Sequence, residues 1–246
     1  MSSAHQREPH KRFISLPEGI YHYLDWQGDG LQMHLLHANG FCAGTYTPFV
    51  KHLYKKYHIF ASDVRGHGDS IFPGTERIRN WEIFAADLRV IIEKAMSPPV
   101  IGMGHSLGAV TTYIAAAKYP HLFSSIILLD PVIFPRQEIQ RISLNRKQGL
   151  GNDSPLAKGA RMRKRTFESK QAALSRFAAG HKIFKTWSRE FVEAYLECGL
   201  LVKDSKTAIL RCDPELEAQI FESVPINVWD YADKIACPVL ALRGEK

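Results

Sequence analysis

The chain has 246 residues, 45% of them hydrophobic and 23% charged, which suits one large α/β domain or two small ones and argues against a disordered chain. Its formal net charge is +7, but no nucleic-acid-binding motif accompanies the excess, so charge alone does not make it a DNA or RNA binder. The four cysteines, Cys42, Cys198, Cys212 and Cys237, show no C-x-x-C spacing; neither a metal site nor a redox pair is signalled, no cofactor is implied, and free buried thiols are the expectation.

Residues 1–12 carry no apolar run and read as a polar tail, neither a signal peptide nor a membrane anchor, so a cytoplasmic protein without a transmembrane segment is expected. Ile20 to Trp26 reads as a strand, and Gly28-Asp29-Gly30 as the turn of an opening hairpin to a second strand, Leu31 to His37. That strand runs into His37-Ala38-Asn39-Gly40-Phe41, whose small residues permit close backbone approach to a ligand. Thr47-Pro48 opens a helix, with Thr47 as N-cap and proline at the first helical position. Tyr57 to Ser62 is a short buried strand ending in Asp63-Val64-Arg65-Gly66-His67-Gly68-Asp69-Ser70, a loop whose charges are expected to hold its own backbone. Trp81, Phe84, Ala85, Leu88, Ile91 and Ile92 repeat at three-to-four spacing and predict an amphipathic helix, stopped by Pro98-Pro99.

Val100 to Ala109, Val-Ile-Gly-Met-Gly-His-Ser-Leu-Gly-Ala, is the stretch around which the rest is organised. A β-rich run enters it and a small-residue helix leaves it, with Gly104-His105-Ser106-Leu107-Gly108 between them as G-x-S-x-G. That context predicts a nucleophile elbow rather than a glycine-rich turn with an idle serine. The turn strains the serine backbone, and the positions two residues away on each side must lack a β-carbon. Ser125 to Asp130 is the next strand. Strands alternating with helices of this length predict a three-layer α/β sandwich with a mostly parallel sheet.

The pattern changes after Pro135. From 136 to 189 the sequence is helical and basic with no convincing strand, fourteen Lys and Arg against Glu138, Asp153 and Glu168, with Phe167, Phe177, Phe184 and Trp187 interleaved. This is an inserted helical cap, which either only covers the core or gates substrate. Ser188 caps a helix that Gly199 ends, Asp213-Pro214 opens another, and Pro238 to Arg243 is a last apolar strand. The organisation is therefore a tail (1–12), the first part of the core (13–135), the cap (136–189), and a return to the core with a penultimate strand (190–246).

The His37 loop, the loop from Asp63, the Ser106 elbow and the strand from Pro238 together resemble the α/β-hydrolase superfamily over most of the chain, of the general esterase or lipase kind. The resemblance implies a Ser-Asp-His triad in that chain order and no cofactor. Ser106 matches the nucleophile and Leu107 the residue whose backbone N–H is the first oxyanion donor. The second donor comes from the His37 loop: counting from His37 gives Asn39, the preferred reading, whereas aligning Gly40 with the family's His-Gly glycine gives Phe41 as the alternative. The family's acid usually follows the strand from Pro238, where Glu245 sits early for the role and an aspartate just past Lys246 is the expectation. A minority of relatives place it after the preceding strand, at Asp130, which as Asp130-Pro131 could instead satisfy the turn backbone. Among histidines after Ser106, neither His121 nor His181 matches the family's base; His37, His67 and His105 precede Ser106, and His105 matches an elbow-packing residue. The triad histidine is expected to follow a final strand beyond Lys246. The expected function is hydrolysis of a small apolar carboxylic ester, with a perhydrolase or acyltransferase using the same serine, or a non-catalytic small-ligand binder, as alternatives.

Overall fold

The computed structural model describes residues 8–74, 77–148, 154–180, 182–204 and 206–245. Residues 1–7 of the polar tail, Asp153, His181 and Lys246 lie outside the described residues. In chain order the strands and α-helices are β1 (His10–Leu16), β2 (Gly19–Trp26), β3 (Leu31–Leu36), α1 (Thr47–Val50), β4 (Tyr57–Ser62), α2 (Glu82–Ala95), β5 (Val100–His105), α3 (Leu107–Lys118), β6 (Phe123–Leu129), α4 (Arg136–Lys147), α5 (Pro155–Arg161), β7 (Thr166–Phe167), α6 (Lys170–Ala178), α7 (Arg189–Gly199), β8 (Leu200–Asp204), β9 (Thr207–Leu210), α8 (Pro214–Glu222) and β10 (Val239–Leu242).

Seven strands form one sheet in the order β1-β2-β4-β3-β5-β6-β10. The pairs from β4 through β10 are parallel, whereas β1 and β2 join antiparallel. Both faces are buried, as a parallel sheet requires. Leu36, Phe60, Trp81, Phe84, Leu88, Ile114 and Ile126 fill one side, against α2 and α3. Trp26, Met33, Leu35, Val50, Ile59 and Met103 fill the other, under α1. Met33 and Leu35 against Leu36 show the period-two alternation that sends one strand's side chains into both layers.

Three local expectations are corrected. Gly28-Asp29-Gly30 does not fold β2 back on β3, because β4 lies between them; the opening hairpin is β1 with β2. β1 starts inside the segment read as tail, and its exposed His-Lys-Arg start is the charged edge that keeps such a strand from pairing further. Thr47 is the first residue of α1 rather than its cap, since a 3-10 turn, Ala43–Tyr46, leads in and Tyr46 takes the cap position.

Beyond β6, α5 to α8 surround a second, three-stranded sheet, β7-β9-β8. Strand β7 falls in the span read as strandless, and its partner β9 lies past residue 189, so the aromatic cluster of Phe167, Phe177, Phe184, Trp187 and Tyr195 belongs to a unit reaching to β9. Part of the basic charge of this unit is met within the chain. Arg161, Arg163 and Arg165, at alternate positions, pair with Glu215, Glu217 and Asp213 around the start of α8, and Lys170 and Arg189 pair with Glu197 and Glu193 of α7. Between 190 and 222 the sequence holds eight carboxylates against three basic residues, the complement to the basic stretch before it.

Candidate active site

Strand β5 ends at His105, and the chain reverses through Ser106 into α3. Ser106 has φ 53° and ψ −110°, a conformation that costs a residue with a β-carbon on the order of 1–3 kcal/mol. Its surroundings over-determine it. The Ser106 N–H extends the sheet ladder by donating to the Leu129 carbonyl at 2.9 Å, and its carbonyl accepts from Val110 N–H at 3.2 Å. The glycine requirement is strict: a Cβ on Gly104 would sit 2.2 Å from the Gly108 carbonyl oxygen, and one on Gly108 would sit 2.1 Å from that of Leu36. The Ser106 hydroxyl is bonded to no described residue. Helix α3 is buried from Leu107 to Ala117, and the N–H of Leu107, its first residue, has no acceptor inside the helix, so the positive helix end lies at Ser106.

The His37 loop separates the two candidates for a second donor. Ala38 N–H donates to the Tyr46 hydroxyl at 3.0 Å, Gly40 N–H to His67 Nε2 at 3.1 Å, and Phe41 N–H to the Ala38 carbonyl at 3.1 Å. Phe41 N–H is therefore committed, while Asn39 N–H has no acceptor among the described residues. The Asn39 side chain is held from α8, its Nδ2 donating to the Glu217 carbonyl at 2.9 Å. The Phe41 ring packs against His105, Trp187 and Tyr195, joining the elbow to α7 and the turn before it.

Most described histidines near this site have structural bonds. His37 bonds the Ala38 carbonyl through Nδ1 and accepts Val64 N–H at Nε2, and burial pushes its pKa below the ordinary value. His67 accepts from Gly40 and bonds the Arg65 carbonyl, and burial pushes it down to about 3. His22 meets Asp63 at 2.6 Å. Asp63 also accepts Ala43 N–H at 2.7 Å and Asp69 N–H at 2.8 Å; burial opposes its charge, but His22, His37 and these donors hold it below the usual carboxylate range. Asp63 thus holds the backbone of its own loop, as the sequence suggests, whereas Arg65 pairs with Asp87, and Asp69 with Lys11 and Arg211. His105 Nδ1 lies 2.7 Å from the Tyr46 hydroxyl, which already accepts from Ala38 and has no other described acceptor, so the hydroxyl donates and His105 carries its proton on Nε2. Burial lowers the His105 pKa while the charge of Asp130 works in the opposite direction. His121 is exposed in the turn after α3. No described histidine bonds the Ser106 hydroxyl.

Asp130 occupies the end of β6 beside that of β5, so Ser106 and Asp130 are the residues next after the paired His105 and Leu129. It is the one other described non-glycine residue with positive φ, 46°. Its N–H donates to the Leu242 carbonyl at 2.7 Å, but its exposed carboxylate accepts no hydrogen bond from a described residue. The idea that this carboxylate satisfies the turn backbone is therefore corrected. It opens into a cavity of about 360 Å3 lined by Tyr46, Phe49, His105, Phe191 and Arg243 among others. Glu245 is exposed and in no hydrogen bond or ion pair with a described residue.

The cysteine expectation is also corrected. Cys42, next to the loop, and Cys198 of α7 form a disulfide, with Cα atoms 6.3 Å apart; Cys212 is free and buried, Cys237 free and half-buried. The partners are 156 residues apart in sequence, and only the packing of α7 on the 3-10 turn brings them together, so spacing carried no signal.

A family model described as alpha/beta hydrolase fold matches residues 34–208. The chain is 34% identical over 104 residues to a 2-(acetamidomethylene)succinate hydrolase of Mesorhizobium japonicum, covering 42% of this chain and 37% of that protein. It is 30% identical over 123 residues to a monoglyceride lipase of Rattus norvegicus, covering 46% of this chain and 40% of that protein. The matches thus span about two fifths of these relatives' length. The solved structure of an E-2-(acetamidomethylene)succinate hydrolase superposes with a TM-score of 0.75 at 22% identity, over 97% of this chain and 81% of that one. No helix among the described residues is long and apolar enough to cross a membrane.

Proposed function

The chain belongs to the α/β-hydrolase fold family, and from that premise we propose that it is a serine hydrolase cleaving small apolar carboxylic esters. The observation that carries this reading is the Ser106 turn: a strained serine with an unbonded hydroxyl, at the positive end of α3, on glycines that admit no β-carbon. Ser106 attacks the ester carbonyl. The N–H groups of Leu107 and Asn39 receive the developing oxyanion, where one such donor is typically worth 10²- to 10³-fold in turnover. Asp130 orients the base; its unbonded carboxylate beside the elbow supports that role. The described histidines near Ser106 have other bonds, and none of them is assigned as the base. The base passes the Ser106 proton to the departing alcohol, leaving an acyl-enzyme that water hydrolyses, and a transferase or perhydrolase would differ only in the acceptor, an alcohol or hydrogen peroxide.

The cap unit covers the elbow through Phe41, Trp187 and Tyr195, which supports a role in choosing the acyl group. We keep the cytoplasm as the proposed location; the Cys42–Cys198 bond is the feature that argues against it, because cytosolic thiol pools reduce most disulfides. A non-catalytic binder is distinguished by one experiment on the whole protein. Ser106→Ala should abolish hydrolysis of chromogenic short-chain esters while the melting temperature stays in place. Retained turnover in that variant sinks the serine mechanism.

A further inference from the structure

The loop that carries Asn39 is held on one side by the core and on the other by the cap. Ala38, Gly40 and Phe41 spend their N–H groups on Tyr46, His67 and the loop itself. The unit around α8 reaches the same loop through a part-buried ion pair. Arg163, just past α5, donates from one guanidinium nitrogen to the Glu217 carboxylate of α8 and from another to the Tyr195 hydroxyl of α7. The side chains of Arg163 and Glu217 are 19% and 9% exposed. The pair lies directly on the loop backbone: a Cβ on Gly40 would be 2.7 Å from a Glu217 carboxylate oxygen and 3.0 Å from an Arg163 nitrogen. From the same turn of α8, the Glu217 carbonyl holds the Asn39 side chain at 2.9 Å.

Both charges are largely shielded from water, so separating them is costly, and the paired geometry presses on the residue next to Asn39. Burial alone works against the Arg163 charge, but Tyr195 and Glu217 more than offset it and keep the guanidinium protonated. We propose that Arg163 is a positioning residue for the oxyanion donor: its fork ties Glu217 and Tyr195 into a clamp that fixes the Asn39 peptide, so the cap helps to build the oxyanion site. The proposal rests on the reading of Ser106 and Asn39 given above. It gives the Arg161, Arg163, Arg165 alternation a division of labour, in which the outer two pair with carboxylates at the surface and the middle one works on the loop.

The test compares Arg163→Met, Arg163→Lys and the double variant Arg163→Met/Glu217→Leu, in the whole protein, with a chromogenic ester and with an aryl trifluoromethyl ketone, which forms an oxyanion adduct on serine. Displacing a donor of this kind should lower kcat roughly 10- to 100-fold with KM changed less than threefold, and should weaken the ketone by the same factor as kcat. Arg163→Lys, which keeps the charge and loses the fork, should recover only part of kcat. The double variant removes the stranded charge, so its melting temperature should return toward wild type while kcat and ketone affinity stay low. A double variant that recovers kcat together with melting temperature overturns the positioning role, as does an Arg163→Met protein with wild-type kcat. If the wild-type protein forms no ketone adduct, the serine mechanism itself fails and the clamp falls with it. If wild type binds the ketone and Arg163→Met binds it equally well, the clamp alone is wrong.

Discussion

Gly108→Ala tests how tightly the elbow is built. The added methyl group would start 2.1 Å from the Leu36 carbonyl oxygen and 2.8 Å from that of His37, both backbone atoms at the end of β3. Real Cβ atoms do not approach closer than 3.0 Å, so the start of α3 must move by about 0.9 Å away from Leu36. That movement carries Ser106 and the Leu107 N–H with it. Overpacking of this kind costs roughly 1–3 kcal/mol, which in a domain of this size lowers the melting temperature by about 2–12 °C. A displacement near 1 Å at reacting groups costs on the order of 10²-fold in turnover. Steady-state kinetics on a chromogenic ester should therefore show kcat down about a hundredfold with KM changed only a few-fold. Ala116→Gly, buried further along the same helix, is the control: it lowers stability by about 1 kcal/mol or more and should leave kcat near wild type. Wild-type kcat in Gly108→Ala, or an equal kcat loss in Ala116→Gly, would refute the argument that the glycine serves the site rather than the fold.

Acid should unfold the protein early. His34 and His67 are buried with values near 3, against an ordinary 6.5, and burial lowers His37 as well, so the unfolded chain binds more protons in that window. Stability is then full above about pH 6.5 and falls as pH drops toward 3, by roughly 1.4 kcal/mol per pH unit for each such histidine. The urea midpoint at pH 5.0 should lie well below that at pH 7.5; equal midpoints would mean that these imidazoles are not buried neutral. Breaking the Cys42–Cys198 bond releases a 156-residue constraint, and Cys198→Ser should lose about 2–5 kcal/mol, seen as a drop of roughly 5–15 °C in melting temperature. An unchanged melting temperature would mean the two thiols are not bonded in solution. Asp130→Asn should lower kcat by on the order of 10⁴ with little change in KM, the usual result of losing the group that orients the imidazole. A loss below tenfold would move the acid elsewhere.

Much of the fold was legible because local signals and the global layout agree. The apolar strands, the amphipathic helix from Glu82 and the G-x-S-x-G turn each read correctly from a few residues of neighbouring sequence. What escaped was long-range or polar. Strand β1 is mostly exposed at the sheet edge, so no apolar alternation marks it; β7, β8 and β9 are short and supported by each other rather than by the main sheet. The Cys42–Cys198 bond and the Arg163–Glu217 pair join residues that are distant in sequence, which no spacing encodes. The arginines at 161, 163 and 165 and the carboxylates at 213, 215 and 217 did carry a signal, matched alternation of opposite sign, visible once the basic span is compared with the acidic one that follows. The preference for Asn39 over Phe41 rests on residue counting from His37 alone, because sequence does not show which N–H the turn has already used.

We propose Ser106 as a nucleophile facing an oxyanion site, and its chemical labelling is the most direct check. Treating the whole protein with a fluorophosphonate and mapping the modified peptide by mass spectrometry tests it without knowledge of the substrate. Stoichiometric labelling is expected on the peptide that contains Ser106, lost in Ser106→Ala and slowed in Gly108→Ala. Absence of labelling in a folded wild-type protein, or labelling that persists in Ser106→Ala, would contradict it.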